Sequence, residues 1–485
     1  MQIRSIRIGK YCLLDDFRIN FEKNLSILIG ENGSGKSTLL EFLALAFGHL
    51  HKYFIDGDKT ASFIEDYDIS FQAKGKDGII YDVEINSFNY QKKDKELGVF
   101  NHVLKINNIE YLPSEAEEVL SHIGGFKTLL PSSIVIYYAG ITKRLEELSD
   151  YFDKRYTRKL IKIDNTFKLN PLNLPEERPF FYCRPNHVAN VLLSLLVSEE
   201  TVHKSFIDDN FDIDNIDTEI IFNFKKPKWR KGKKESDTFW GASEGAILDF
   251  LTILSTMSQD SNFDKNEIKI SYYSTLNLKD ALSKLSINSP ELFLFRMLDI
   301  LIYDDLLKSI NIAWTGKSGD KIEIDRLSEG QKQLLLTSGL SELWSLENTL
   351  FIYDEPDTFL HPKWQADFVK ELSTKNPDNQ FIIATHSPQL INSSNNSELF
   401  ILEKGKIKEH SQNFYGRDVN SILLHYMDAP KRPKNIDLQI KEISALIDKK
   451  EYKIALEELK KLKELVSDND SDYTRLHTKL NFLIS

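Results

Sequence analysis

Gly30-Glu31-Asn32-Gly33-Ser34-Gly35-Lys36-Ser37 decides how this chain is read. It fits the phosphate-loop pattern G-x-x-x-x-G-K-[ST], in which a glycine-rich turn lets several backbone N–H groups converge on phosphate oxygens. The flanks agree. Leu25-Ser26-Ile27-Leu28-Ile29 is a short apolar run suited to a buried strand, and Thr38 to Phe47 reads as a helix. A helix that starts at the loop aims its positive end at the same anion. Gly30, Asn32, Gly33, Ser34 and Gly35 shape the expected ATP cradle, with Thr38 in the first helical turn. Lys36 would put a point charge on the outer phosphates, and Ser37 a hydroxyl on Mg²⁺.

The second half of such a site comes some 300 residues later. Leu327-Ser328-Glu329-Gly330-Gln331 precedes a helical run from Gln333 to Leu346. Ser328 is placed to cap that helix, with Gln331 three positions on completing a capping box. Gly330 leaves room for a ligand near the helix's positive end. Leu350-Phe351-Ile352-Tyr353 then reads as a buried strand ending in Asp354-Glu355-Pro356. Carboxylates at the end of a parallel strand lie where α/β folds bind ligands. Asp354 is the candidate Mg²⁺ partner of Ser37, and Glu355 the candidate group for polarising an attacking water. A further strand, Phe381 to Ala384, leads to His386, placed to donate to the γ-phosphate.

Composition bounds the rest. Length suggests about three domains. The chain has 73 acidic against 62 basic residues, a net charge of −11, so a nucleic-acid contact would need a local basic patch. Cys12 and Cys183 are the two cysteines, too few for a disulfide framework, which points to a reducing compartment. No apolar run approaches a membrane span, and Met1 to Arg7 alternates like a strand rather than a secretory leader. The expectation is a cytoplasmic protein without a membrane partner.

Strand patterns at Gln2–Ile8, Phe17–Phe21, Ile64–Phe71 and Ile79–Ile85 predict an antiparallel patch around the first helix, and Ser133–Tyr138 another strand. From there to about residue 300 the pattern is irregular and mostly helical. It contains a basic run, Lys225 to Lys234, with seven cations and Trp229. That run suits a DNA backbone contact, and equally a solvated loop balancing the acidic stretch Asp208–Asp217 before it. After Pro433, three apolar stripes follow at helical spacing: Ile436, Ile440, Ile443, Ile447; Leu456, Leu459, Leu462, Val466; and Tyr473, Leu476, Leu480, Leu483. They predict a helical tail that packs on the rest of the chain or docks a partner.

The ordered set of Walker A (Gly30–Ser37), signature (Leu327–Gln331), Walker B (Leu350–Glu355) and His386 resembles an ABC-type ATPase head. The resemblance implies ATP and Mg²⁺ as cofactors, and a homodimer or higher homo-oligomer. In it Ser328, Glu329, Gly330 and Gln331 of one subunit close over the Walker motifs of another. The run Asp354 to Pro362 is similar to the form found in SMC-like and OLD-like ATPases. One departure stands out: the glutamine-containing loop usual after the 133–138 strand is replaced by Tyr138-Ala139-Gly140.

A closer resemblance lies in Leu130 to Ser133, Tyr137 to Gly140 and Lys143-Arg144-Leu145, with Phe239-Trp240-Gly241-Ala242 and Tyr415 to Leu423. These are similar to the PtuA family of Septu anti-phage systems and of related retrons. That family implies control of a PtuB-like HNH nuclease and, in retrons, a reverse transcriptase with its RNA–DNA hybrid. The alternative is an SMC-like DNA-repair ATPase acting with a separate nuclease, although no sustained heptad repeat is present. An OLD-type Toprim nuclease has no room after the last head hairpin. The expected division is an α/β head with a RecA-like core and antiparallel sub-sheet: 1–140 with Walker A, a mainly helical insertion at 141–309, 310–428 with the remaining motifs, and a helical interaction module at 429–485.

Overall fold

The computed structural model describes residues 1–58, 66–90, 99–111, 120–121, 124–138, 140, 142–161, 178–211, 213, 218–228, 238–242, 244–285, 289–316, 319–344, 348–375, 378–411, 414–427, 432–467 and 470–484. They form two compact units, Met1–Gly416 and Arg417–Ser485.

A seven-stranded sheet is the frame of the first unit. Its spatial order is Lys406–Ser411, Glu398–Glu403, Leu25–Ile29, Gln380–Ala384, Thr349–Asp354, Ser133–Tyr137 and Phe180–Cys183. All neighbours run parallel except the hairpin of the first two strands. The inner strands are buried along their whole length, which is why they read as unbroken apolar runs. Their shared direction brings Ile29, Asp354 and Ala384 to one edge, and that edge carries the phosphate loop. The helix Lys36–Phe54 follows the loop and packs between this sheet and a six-stranded antiparallel one built from Gln2–Tyr11, Leu14–Asn20, Tyr67–Lys74, Ile80–Tyr90, Val99–Ile106 and Ile109–Tyr111. One core joins both sheets, with Ile6, Phe17 and Phe71 on the antiparallel side and Leu28, Ile134 and Ile352 on the parallel side. This is the arrangement of an ABC-type ATPase head.

The 141–309 segment departs from a mainly helical insertion in two respects. Besides its helices it carries most of a five-stranded antiparallel sheet, ordered Asp260–Phe263, Glu267–Tyr272, Thr218–Lys225, Leu307–Thr315 and Lys321–Glu323. The strand Leu307–Thr315 runs across the boundary placed at 309. Phe180–Cys183 in turn belongs to the central sheet. The strand Thr218–Lys225 buries alternate residues only, so its polar half masks it in a sequence read for apolar runs.

In the second unit the helices Lys434–Asp448, Tyr452–Leu465 and Ser471–Ile484 enclose their own core of Ile440, Ile443, Ile447, Ala455, Leu459, Leu462, Tyr473, Leu476 and Leu480. The three stripes therefore meet one another. Leu483 is the exception and stays 43% exposed. Contacts divide the chain at residue 416 rather than 428, so the short helix Val419–Tyr426, capped by Asp418, goes with the tail.

Candidate functional site

Lys36 is the first residue of its helix, and Gly35 caps it with φ of 108°, a left-handed conformation that glycine adopts at little cost. Gly30 is required for a different reason: a Cβ there would lie 2.2 Å from the Leu402 carbonyl oxygen. Lys36, Ser37 and Thr38 thus occupy the first helical turn, whose N–H groups have no partners within the helix. Asn32 is exposed at the tip of the loop, while Ser34 and Lys36 are buried.

The Lys36 ammonium donates to the Gly30 carbonyl at 2.8 Å and to that of Glu31 at 3.3 Å. Burial lowers its pKa, opposed by the charges of Asp354 and Glu355. Ser37 donates to Asp354 Oδ1 at 3.1 Å, joining the Walker A helix to the end of the Walker B strand. Burial pushes the Asp354 carboxyl up to about 6, against the Ser37 hydrogen bond and the Lys36 charge.

Glu355 follows with φ of 50°, and its N–H donates to the Ala384 carbonyl at 2.8 Å. That bond crosses to the strand that carries His386, whose Nε2 stands 3.8 Å from Glu355 Oε1. The loop around His386 is held on both sides: Thr385 Oγ1 donates to Asp357 at 2.8 Å and Ser387 Oγ to Gln365 at 2.8 Å. Burial and then the Lys36 charge lower the His386 pKa, with Glu355 opposing. The imidazole is therefore neutral near pH 7 and keeps one N–H to donate.

The signature residues take their local form from the capping box. Ser328 Oγ accepts from the Gln331 N–H at 3.2 Å, and Gln331 Oε1 accepts from the Ser328 N–H at 3.1 Å. Ser328 and Glu329 are exposed. Gly330 is buried, and its missing side chain serves a contact within the chain: a Cβ there would lie 2.7 Å from the Phe359 carbonyl oxygen of the Walker B loop. The predicted end of this helix, Leu346, lies outside the described residues, and within them the helix is not uniform. It is α-helical over Glu329–Leu334, widens to a π-turn over Leu335–Gly339 and ends with Leu340–Leu343. Two carbonyls of that stretch are taken by side chains: Thr337 Oγ1 donates to Gln333 and the Tyr353 hydroxyl to Thr337, which accounts for the interrupted ladder.

Several residues that sequence reading did not assign tie these parts together. Gln333 donates to the Tyr137 hydroxyl at 3.2 Å and to the Glu355 carbonyl at 3.1 Å, and accepts from the Phe359 N–H at 2.7 Å. Asp357 anchors the His386 loop through Thr385. Tyr138 interacts with the Ser37 hydroxyl and the Asp354 carboxylate. Of the basic run, Lys225 ends a strand and pairs with Asp305, while 229–234 lie outside the described residues.

The site fits Mg²⁺ and a nucleotide phosphate on two counts. The Ser34 hydroxyl is buried without a hydrogen-bond partner among the described residues, and a phosphate oxygen would satisfy it. Asp354 is a buried carboxylate whose charge Ser37 and Lys36 only partly offset, a deficit a divalent cation would make good. One carboxylate and one hydroxyl suffice, since Mg²⁺ at such sites completes its shell with phosphate and water.

The profile of the AAA ATPase domain family matches residues 1–391. The chain is 25% identical to the retron Vc95 probable ATPase of Vibrio cholerae, covering 96% of this chain and 86% of that protein. It is 22% identical to the retron Ec83 probable ATPase of Escherichia coli, covering 89% and 77%. A solved SMC head bound to the C-terminal winged-helix domain of ScpA aligns at a TM-score of 0.37 and 13% identity, covering 85% of this chain and 98% of that one.

Proposed function

The chain belongs to the AAA ATPase domain family, and we propose that it is the ATP-driven regulatory subunit of an anti-phage defence complex of retron or Septu type, controlling an HNH nuclease held in another chain. The observation that carries the ATPase half is the Ser37–Asp354 hydrogen bond, with Lys36 beside it and the Glu355–His386 pair at the same sheet edge. Bound Mg²⁺ would offset the charge of the phosphates; Ser37 and Asp354 would hold it. Lys36 would give up its loop carbonyls for the outer phosphates. Glu355 accepts hydrogen bonds from, and so orients, the attacking water. His386 donates its N–H to the terminal phosphate.

The defence half rests on similarity to two retron probable ATPases over most of both chains. A second reading, an SMC-like repair ATPase, rests on matches to the Rad50 ATPase of Sulfurisphaera tokodaii and to RecF of Ruminiclostridium cellulolyticum. Each is 24% identical and spans 36% of this chain, so they cover part of what the retron proteins cover. Ser328 and Glu329 are exposed at a rigid cap, a form suited to completing the site of a second copy. A Ser328→Arg chain mixed with a Lys36→Ala chain should then recover ATPase that neither has alone. Co-expression with the neighbouring genes tests the output: an HNH nuclease should co-purify, and the isolated chain should leave DNA uncut. Metal-dependent cleavage by the isolated chain, lost on changing its own residues, would overturn this division of labour.

A further inference from the structure

We propose that Gln333 and Gln365 are positioning residues for hydrolysis: Gln333 brackets the turn that carries Glu355, and Gln365 ties that turn to the loop that carries His386. The inference rests on Glu355 orienting the attacking water and His386 donating to the terminal phosphate. Glu355 needs to be held. Its φ of 50° is a left-handed conformation, and glutamate has no intrinsic preference for it. Gln333 reaches the turn from the signature helix. It is buried, and its one amide serves both ends of the turn. Nε2 donates to the Glu355 carbonyl at 3.1 Å, while Oε1 accepts from the Phe359 N–H at 2.7 Å. Nε2 also donates to the Tyr137 hydroxyl at 3.2 Å, on the strand beside Thr349–Asp354.

Gln365 holds the same turn from the helix Pro362–Lys375. Its Nε2 donates to the carbonyls of Asp357 at 3.0 Å and Leu360 at 3.1 Å, and its Oε1 accepts from Ser387 Oγ at 2.8 Å. The Ser387 N–H donates to Thr385 Oγ1 at 2.9 Å, and Thr385 Oγ1 donates to the Asp357 carboxylate at 2.8 Å. A closed ring of hydrogen bonds therefore runs from Asp357 through Thr385, Ser387 and Gln365 back to Asp357, with His386 between two of its members. The residue type suits the task. An amide carries a donor and an acceptor on one carbon, so it can take a C=O and an N–H of the same turn; a carboxylate only accepts and an ammonium only donates. It is also uncharged, so it holds the turn without adding to the field at the phosphates. Glu355 Oε1 and His386 Nε2 stand 3.8 Å apart where the two held segments meet. A displacement of about 1 Å at such a site costs on the order of 10²-fold in rate.

Gln333→Met and Gln365→Met keep the length of the side chain and remove its hydrogen bonds. In the full chain each should lower kcat for Mg²⁺–ATP roughly 10- to 100-fold. KM, and the calorimetric affinity for a non-hydrolysable ATP analogue, should stay within about twofold, the split expected when only the transition state is affected. Each loss should also run through the residue that is held. In single turnover, read above the enzyme-free rate, Gln333→Met should cost less than about twofold more in a Glu355→Gln chain, and Gln365→Met less than about twofold more in a His386→Ala chain, because residues acting as a unit are not additive. Gln333→Glu and Gln365→Glu keep the acceptor and lose the donations; they should show the same split, and they carry the test if a methionine variant does not fold. A folded variant with ordinary kcat overturns the inference. So does a loss that multiplies in full with that of the held residue, or one shared equally by kcat and analogue affinity. If Glu355→Gln by itself leaves turnover near normal, the water-orienting reading fails, and the inference with it.

Discussion

The corner around Lys36 and Asp354 and the three-helix unit at the C-terminus are built on opposite terms. In the helical unit each apolar stripe, Leu483 apart, is consumed by the other two, and Ile443, Leu462, Leu476 and Leu480 are fully buried. Its charges stay near the surface in pairs, Arg432 with Asp472 at 2.6 Å and Lys479 with Asp448 at 2.8 Å. Local propensity, pattern and packing agree there, which is how a sequence specifies a scaffold. The corner shows the reverse. Lys36 and Asp354 are buried charges, the buried Ser34 hydroxyl has no hydrogen-bond partner among the described residues, and Glu355 takes a left-handed backbone. Such conflicts persist where the surrounding structure enforces them, and they cluster at sites of chemistry. Outside the core of the helical unit, Leu465 is 63% and Phe482 81% exposed.

If that contrast is right, one substitution should ruin each region by a different route. Lys36→Ala should weaken ATP binding by on the order of 10²-fold or more, the scale of losing a preorganised charge, while the unfolding midpoint of the chain holds or rises. Calorimetry that returns unchanged affinity would break the phosphate-loop reading. Glu355→Gln keeps the shape and removes the charge. Turnover should fall about 10²-fold, the scale of a positioned base, with ATP binding retained and head dimers accumulating. Near-normal turnover would move that role to another group. Leu462→Ala should do the converse: about 2–5 kcal/mol of stability lost from the helical unit through an unfilled core, read in denaturant, with ATP affinity unmoved.

The same contrast explains what the sequence made legible. Walker A, Walker B and the capping box are short contiguous patterns whose local geometry follows from residue type, and Ser328–Gln331 folds as its spacing predicts. The parallel strands were readable because they are buried throughout. The five-stranded sheet was not, since strands such as Thr218–Lys225 keep one polar face. The contacts of Gln333, Tyr137 and Asp357 were invisible for another reason. Gln333 reaches Tyr137 across 196 residues and Glu355 across 22, and Asp357 meets Thr385 across 28, and no local spacing encodes such contacts. Tyr138 did leave a trace, as a tyrosine where the family resemblance implies a glutamine. The tail's stripes were found, but spacing alone did not say that they would meet one another.

The smallest expected effect sharpens the comparison most, because it separates a functional conflict from a structural one. Asp354 has a carboxyl pushed up to about 6 from an ordinary 3.8 by burial. A raised carboxyl binds its proton more tightly in the folded chain than in the unfolded one, so between about pH 4 and pH 6 folding stability falls as pH rises. Below that window the carboxyl is protonated in both states and the penalty is absent; above it the penalty is complete. Asp354→Asn removes the charge and keeps an oxygen to accept from Ser37. The nucleotide-free variant should therefore match the unmodified chain near pH 4 and exceed it by on the order of 2 kcal/mol at pH 7 to 8. Adding Mg²⁺ and ATP should reverse the ranking, because a neutral amide cannot balance the cation, so the variant gains less from the pair than the unmodified chain does. Denaturant midpoints at the two pH values, each with and without Mg²⁺–ATP, decide it. A stability difference that is the same at both pH values would mean that Asp354 carries no buried-charge penalty, and that the corner is as settled in its folded state as the helical unit.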